Sequence, residues 1–156
     1  MSASVVVMRP VEDGDLPFFF AWQADEDSSR MAAVASRDEE AFAAHWSRIR
    51  SDSDCMLRAI VADGNVAGHA LSWTAAEGRV VGYWLGKSYW GRGITSEALR
   101  LYLEEERCRP LLATVAEHNT GSRRVLEKTG FRLESSKLVD DGPERGTITL
   151  LQFRLG

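Results

Sequence analysis

Residues 89–99 read YWGRGITSEAL, with Gly91 and Gly93 on either side of Arg92 and a helix-like pattern beginning at once behind them. A glycine-containing turn that feeds a helix is chemically an anion site. The first N–H groups of a helix have no internal partner, and the helix dipole favours negative charge there. Glycine lets those groups approach a phosphate without a Cβ in the way. Arg92 adds a local cation, and Thr95 and Ser96 add hydroxyls in the first turn. Two known phosphate patterns do not fit. GxxxxGK[ST] is absent, and GxGxxG fails at Ser96, where a third glycine is required. On local grounds alone, a tight turn with positive φ is the competing reading of both glycines.

The elements around this turn follow from periodicity. Residues 4–10 (SVVVMRP) are a β-branched run closed by Pro10, and so a strand. Asp13 or Asp15 caps a first helix through Leu16, Phe18, Phe19 and Trp22, and Ser36 or Asp38 starts a second through Phe42, Trp46 and Ile49. The polar stretch 25–40 between them reads as a loop with short helical pieces. Residues 55–73 hold two strands broken at Asp63-Gly64-Asn65, a hairpin signal, and residues 79–86 form a third strand in which Gly82 marks a bulge or a close approach. A helix runs from about Gly93 to Arg107, with Glu104, Glu105 and Glu106 on its solvated face. A strand at 110–116, a helix from Asn119 or Thr120 stopped by Gly130, and strands at 131–139 and 147–155 complete the chain. The order β-α-α-β-β-β-α-β-α-β-β, without repeats or linkers, predicts one α/β domain over residues 1–156 built on a mixed sheet.

Composition narrows the class. The chain has 156 residues, 44% hydrophobic and 27% charged, with a formal charge of −4. That balance argues against a nucleic-acid binder working through a global basic field. Cys55 and Cys108 lie far apart without paired ligands, so neither a disulfide scaffold nor a metal site is expected, and both read as buried or inert thiols. No signal peptide and no apolar run of membrane-spanning length is read, which makes the cytoplasm the default compartment and a membrane partner unexpected.

The segment VVGYWLGKSYWGRGITSEALRLYLE, together with ATVAEHNTGSRRVLEKTGFRLE, closely resembles the GNAT family of N-acetyltransferases. Within it, the sequence is most similar to the branch that contains the ribosomal-protein N-terminal acetyltransferases. The likeness is strong over residues 79–139 and looser elsewhere, through the start MRPVEDGDL. It implies the GNAT fold, an α+β arrangement whose mostly antiparallel sheet is flanked by helices, with acetyl-CoA as cosubstrate and no metal. The family's pyrophosphate loop, Gln/Arg-x-x-Gly-x-Gly/Ala, falls on Trp90, Gly93 and Thr95; Thr95 at the small position is a departure. The resemblance implies that the N–H groups of Gly91, Arg92, Gly93, Ile94, Thr95 and Ser96 cradle the coenzyme A pyrophosphate. It implies too that Tyr83, Trp84 and Leu85 lie along the pantetheine arm in a splayed, bulged strand, and that Asn119 contacts the same arm, with an N-cap as its other reading. Homodimers occur in the branch, although nothing in the sequence fixes one.

Acetyl transfer to an amine needs a neutral amine, a stabilised carbonyl oxygen and a proton for the leaving thiolate. A chain α-amine, with a pKa of about 7.7–8, is partly neutral near pH 7, whereas a lysine near about 10.4 is not. A general base therefore has work to do, often through water. A backbone N–H near Leu85 serves the oxyanion. Many family members carry a tyrosine seven residues after the asparagine as the thiolate acid; here that position is Leu126. The branch places a serine at the position of Ser122, which the resemblance implies as the acid. The base falls to Glu117 or His118, for both of which a solvated loop position is the other reading. Arg123, Arg124 and Lys128 stand within reach of a 3′-phosphate or on a solvated face. The acceptor site is expected between the first two helices, their loop and the C-terminal hairpin, with Phe18, Trp22, Met31 and Trp46 apolar and Asp25, Glu26 and Asp27 drawing a cationic amine. These residues do not separate a protein N-terminus from a small-molecule amine. A non-catalytic acyl-CoA-binding module is the alternative reading, and a Rossmann-type nucleotide binder is disfavoured by Ser96.

Overall fold

A computed structural model describes residues 4–156. Seven strands form one sheet in the order β1-β2-β3-β4-β5-β7-β6. The strands are β1 (Val6–Arg9), β2 (Met56–Ala62), β3 (Asn65–Ala75), β4 (Gly78–Leu85), β5 (Leu111–Ala116), β6 (Arg132–Asp140) and β7 (Thr147–Leu155). The helices are α1 (Leu16–Ala24), α2 (Glu26–Ala32), α3 (Glu39–Ser51), α4 (Ile94–Glu105) and α5 (Thr120–Lys128). Every predicted strand and long helix is present. The addition is α2, inside the stretch read as a loop. Asp25 starts it by accepting the Ser28 N–H at 3.2 Å, and Ala33 ends it in a left-handed conformation at φ 58°. Seven residues carry too little periodicity to announce such a helix.

Alternation along the strands divides the core between two faces. Leu99 and Tyr102 of α4 and Leu126 of α5 pack with Ala70, Val81, Leu111, Ala113 and Val115 of the sheet on one face. Phe19 of α1 and Phe42, Trp46 and Ile49 of α3 pack around Ala59 on the other. Asp38 caps α3 as expected, accepting the Ala41 N–H at 2.8 Å. Asp15 occupies the N-cap of α1, but its carboxylate is spent elsewhere: Arg9 grips it through two bonds of 2.7 and 2.8 Å. The Arg9 guanidinium holds the Asp15 carboxyl below its ordinary pKa, against the opposing effect of burial.

Three expectations need correction. Gly82 marks no bulge, because β3 and β4 pair without a shift from Gly68↔Leu85 to Ala75↔Gly78. It is the Trp73 ring that lies over Gly82, 3.5 Å from where a Cβ would stand. Register shifts fall instead between β2 and β3, at Ile60/Val61, and between β6 and β7, at Leu133/Ser135. Glu106 is not solvated: it is 6% exposed and hydrogen-bonded to Ser72 and Arg79. Of the two readings of Cys108, a buried or an inert thiol, the first does not hold, because Cys108 is free and exposed.

One pairing decides where a site can lie. Strands β4 and β5 run parallel and pair only at Arg79↔Leu111 and Val80↔Leu112. Beyond these residues β5 stays on β7 as far as Ala116↔Leu150, and β4 stays on β3 as far as Leu85↔Gly68. The sheet therefore splits, and the second halves of β4 and β5 border an open wedge.

Candidate functional site

The wedge opens into a cavity of about 470 Å³, lined by the end of β4, the loop into α4, the first turns of α4 and α5, and one side of α2. The Gly86 N–H donates to Ala67 O of β3 at 2.8 Å. By strand alternation the polar groups of Trp84 share that side, while those of Tyr83 and Leu85 face the split. The Tyr83 side chain lies on the α4/α5 face and that of Trp84 on the other, opposite His69 of β3. The Trp84 indole Nε1 is buried without a hydrogen-bond partner among the described residues. An unpartnered buried donor in a cavity wall is a group that a ligand could satisfy.

The glycine turn stands at the cavity mouth. Gly91 and Gly93 adopt φ of 76° and 73°, and open space surrounds the position of a Cβ on each. The left-handed backbone is thus the local reason for glycine at both positions. Gly93 is the N-cap of α4, whose first bond runs from the Glu97 N–H to Gly93 O at 3.3 Å, so the N–H groups of Ile94, Thr95 and Ser96 precede the helical ladder. The turn is held firmly on both sides. Trp90 Nε1 donates to Leu85 O at 2.9 Å, and Ile94 is buried against Ile60, Ala62, Ala67 and Leu85. The Arg92 side chain bonds Ser4 at 3.1 Å and Asp63 at 3.4 Å, and lies over the Tyr89 ring. Its charge is therefore already partnered. Arg124 and Lys128 of α5 line the cavity as further cations, whereas Arg123 turns back to donate to Glu117 O at 3.1 Å.

The opposite wall begins with Asn119. It caps α5 by accepting the Ser122 N–H at 3.2 Å through Oδ1, and it lines the cavity as well. Ser122 Oγ lies 2.7 Å from the Tyr83 hydroxyl. The resemblance places Tyr83 along the pantetheine arm and gives its hydroxyl no role. Its side chain was legible in part, since alternation puts Tyr83 on the face of Val81, but the phase of α5 that brings Ser122 to meet it was not. Burial pushes the Tyr83 phenol up to about 12, partly offset by Ser122. Leu126, one turn on from Ser122, is 1% exposed and belongs to the core.

Glu117 and His118 follow β5 and are exposed. His118 Nε2 lies 2.9 Å from Arg30 O of α2, so this nitrogen acts as a donor that pins α2 to the end of β5. Neither Glu117 nor His118 is among the residues that line the cavity. The acidic residues at the head of α2 are occupied. Asp25 caps the helix, Asp27 pairs with Lys87 at 2.7 Å, and Glu26 pairs with Arg30 and Arg145 at 3.3 and 3.1 Å. Of the apolar acceptor candidates, Met31 lines the cavity, Trp22 packs against Gly86, Phe18 is exposed, and Trp46 is buried in the α1/α3 core. Ser28 and Ala32 of α2 join Met31 in the wall, a contribution hidden until α2 is recognised as a helix.

Residues 6–132 match the family model described as "Acetyltransferase (GNAT) domain". The chain belongs to the GNAT acetyltransferase family. A curated relative, the probable N-acetyltransferase YjcK of Bacillus subtilis (strain 168), is 43% identical over 58 residues, covering 35% of this chain and 32% of that protein. The match thus spans about a third of the relative's length. Among solved structures, the spermidine N-acetyltransferase of Vibrio cholerae in complex with CoA and spermine superposes with a TM-score of 0.84 at 12% identity, covering 96% of this chain and 94% of that one. RimJ of Mycobacterium smegmatis, in complex with CoA-disulfide, gives 0.72 at 24% identity over 97% and 84% of the two chains. These likenesses establish the fold.

Proposed function

We propose that this GNAT domain transfers an acetyl group from acetyl-CoA directly to a primary amine, on a protein N-terminus or a small molecule, within a ternary complex and in the cytoplasm. The observation that carries the reading is the two-residue pairing of β4 with β5, which leaves a strand-sized opening leading to the N-terminus of α4. The N–H groups of residues 91–96 hold the pyrophosphate, with Arg124 or Lys128 nearby for the remaining phosphate. The backbone polar groups of Tyr83, which face the split, pair with the pantetheine arm as a neighbouring strand would, Leu85 borders the arm with its carbonyl already held by Trp90, Asn119 contacts it from α5, and the Trp84 side chain walls the acetyl end. Acetyl-CoA supplies the activated carbonyl.

The Leu85 N–H donates to the carbonyl oxygen as negative charge develops, in a wedge where little water competes. Glu117, or His118 through Nδ1, takes the proton of the amine, directly or through water. Ser122 hydrogen-bonds the sulfur and passes it a proton as the C–S bond breaks. The partnered state of Asp25, Glu26 and Asp27 argues against a strongly cationic polyamine held by that loop. An acceptor whose amine emerges from an apolar stem fits Met31 and Ala32 better.

Leu126 in the core, where many relatives carry tyrosine, favours a second reading, a coenzyme A-binding module without turnover. One assay separates the two. Thiol release from acetyl-CoA is followed against N-terminal peptides, aminoglycosides, polyamines and amino acids, with calorimetric titration of coenzyme A on the same sample. Amine-dependent release supports transfer and names the acceptor class. Binding without release supports the module. Absence of binding overturns both.

A further inference from the structure

Resting on the acetyl-transfer reading, we propose that Tyr83 is the donor behind Ser122: its phenol hydrogen-bonds the Ser122 hydroxyl, turns that hydrogen toward the leaving sulfur, and replaces the proton Ser122 gives up.

Three observations converge on this pair. The first is distance. The Tyr83 oxygen lies 2.7 Å from Ser122 Oγ and 3.3 Å from the Ser122 carbonyl oxygen. Of the two hydroxyls the phenol, with an ordinary pKa of about 10, is the stronger acid. Either hydroxyl can donate in the shorter contact; we assign the phenol as its donor and Ser122 Oγ as the acceptor, because the phenol is the stronger acid. The second is the fate of the serine hydrogen. A helical serine or threonine commonly donates back to a carbonyl one turn earlier. Thr129, just past the end of α5, does so, reaching Val125 O at 2.9 Å and Leu126 O at 3.0 Å. Ser122 makes no such bond among the described residues, so with the phenol donating to it, its own hydrogen is available to the cavity that it and Tyr83 both line. The third is the neighbouring turn of α5, where Leu126 fills the core and offers no hydroxyl. The phenol reaches the same helix face from β4 instead.

The step balances. The amine nitrogen bonds to the acetyl carbon, and the C–S bond breaks with its electron pair going to sulfur. The Ser122 proton moves to sulfur and the Tyr83 proton moves to Ser122 Oγ. The Tyr83 oxygen then recovers a proton from water at the cavity mouth, matching the one the amine releases. Burial keeps Tyr83 protonated throughout the working pH range. The same desolvation raises the pKa of a thiol in the wedge, which narrows the gap the proton must cross. Tyr83 thus acts through Ser122, as a positioning residue for its hydroxyl.

The test uses the full chain as Tyr83→Phe, as Ser122→Ala, as the double variant, and with a fluorinated tyrosine at position 83. Tyr83→Phe lowers kcat by about 10²-fold, within the range for loss of acid catalysis. KM for acetyl-CoA and the melting temperature stay close to wild type. The double variant is no slower than the slower single one, because residues that act as a unit do not add. The more acidic fluorinated phenol shifts the alkaline limb of the rate profile downward, which a merely structural ring would not do. Wild-type kcat in Tyr83→Phe, or losses that multiply in the double variant, overturns the pair. A readout independent of any acceptor is the ultraviolet titration of the thiol of bound coenzyme A. Loss of either hydroxyl raises that thiol's pKa, and an unmoved titration overturns the pair. If the wild type acetylates no amine, the transfer reading falls, and this titration still decides whether Tyr83 and Ser122 act on sulfur.

Discussion

Arg79 Nε lies 3.0 Å from Glu106 Oε2, and this pair stands where the split in the sheet closes, since Arg79 is also one of the two β4 residues paired with β5. The same guanidinium reaches Asp54 at 3.0 Å, while Ser72 donates to Glu106 and Tyr102 donates to Ser72 at 2.7 Å. The network ties β3, β4 and the end of α4 together at the hinge of the wedge. Burial pushes the Glu106 carboxyl up, but Ser72, the Cys108 N–H and Arg79 outweigh it and hold the group below its ordinary pKa. Glu106 therefore stabilises the fold above its unfolded pKa, and that contribution fades as pH falls through the lower folded value. Arg79→Met leaves a buried carboxylate without its cation and should cost about 3 kcal/mol. Urea unfolding at pH 7 and pH 4 checks this: the variant's deficit shrinks on acidification, and a deficit below about 1 kcal/mol at pH 7 would contradict the assignment.

Gly68 is the position in the sheet where a side chain fits least. A Cβ there would stand 2.1 Å from the Trp84 carbonyl oxygen of β4. Gly68→Ala must push β4 away from β3 or unwind the irregularity beside it, at a cost of about 3 kcal/mol, the upper end for overpacking. Because Trp84 and Leu85 shift with β4, the variant should also lose coenzyme A affinity. Gly82→Ala, which meets only the Trp73 ring at 3.5 Å, serves as the mild control. Equal melting temperatures for the two variants would refute this ranking.

The contrast between these glycines shows where sequence reading works. The succession of elements along the chain, the long helices and the glycine turn were legible because periodicity and chain punctuation report local structure directly. Gly130 ends α5 as predicted, with the Phe131 N–H closing on Leu126 O at 3.0 Å. What escaped depends on partners distant in sequence. Glu106 looked solvated among three consecutive glutamates until Ser72 and Arg79 came to meet it. Gly82 and Gly68 sit in equally strand-like settings, and only the three-dimensional path of β4 distinguishes them. The Tyr83–Ser122 contact spans 39 positions and depends on the rotation of α5, which no local pattern reports.

Gly93 is committed to a left-handed backbone at φ 73°. Gly93→Ala imposes about 1 kcal/mol or more of strain on any non-glycine residue there, and its methyl enters the open space in front of the unpaired N–H groups. Stability should fall modestly, while coenzyme A affinity falls by more than tenfold. Calorimetric titration beside a thermal melt separates the two effects. Intact affinity would remove the glycine turn from the binding site.

His69 supplies a pH signature of its own. Its ring meets those of Phe19 at 4.7 Å and Trp46 at 4.9 Å, edge-on, and its Nδ1 is buried without a partner among the described residues. Burial pulls its pKa down to about 3, with His45 adding to the shift. In the unfolded chain the imidazole titrates near its ordinary value of about 6.5. Between these two values the unfolded state binds the proton and the folded state does not, so stability falls as pH falls below about 6.5, by up to about 1.4 kcal/mol per unit from this one group. The loss levels off only near the folded value, once the half-buried ring itself takes a proton. His69→Phe fills the aromatic cluster without a titratable group and should flatten the stability profile between about pH 6.5 and 4. Unfolding free energies measured across that window decide the point, and an unchanged slope in His69→Phe would place the acid sensitivity in the carboxylates instead.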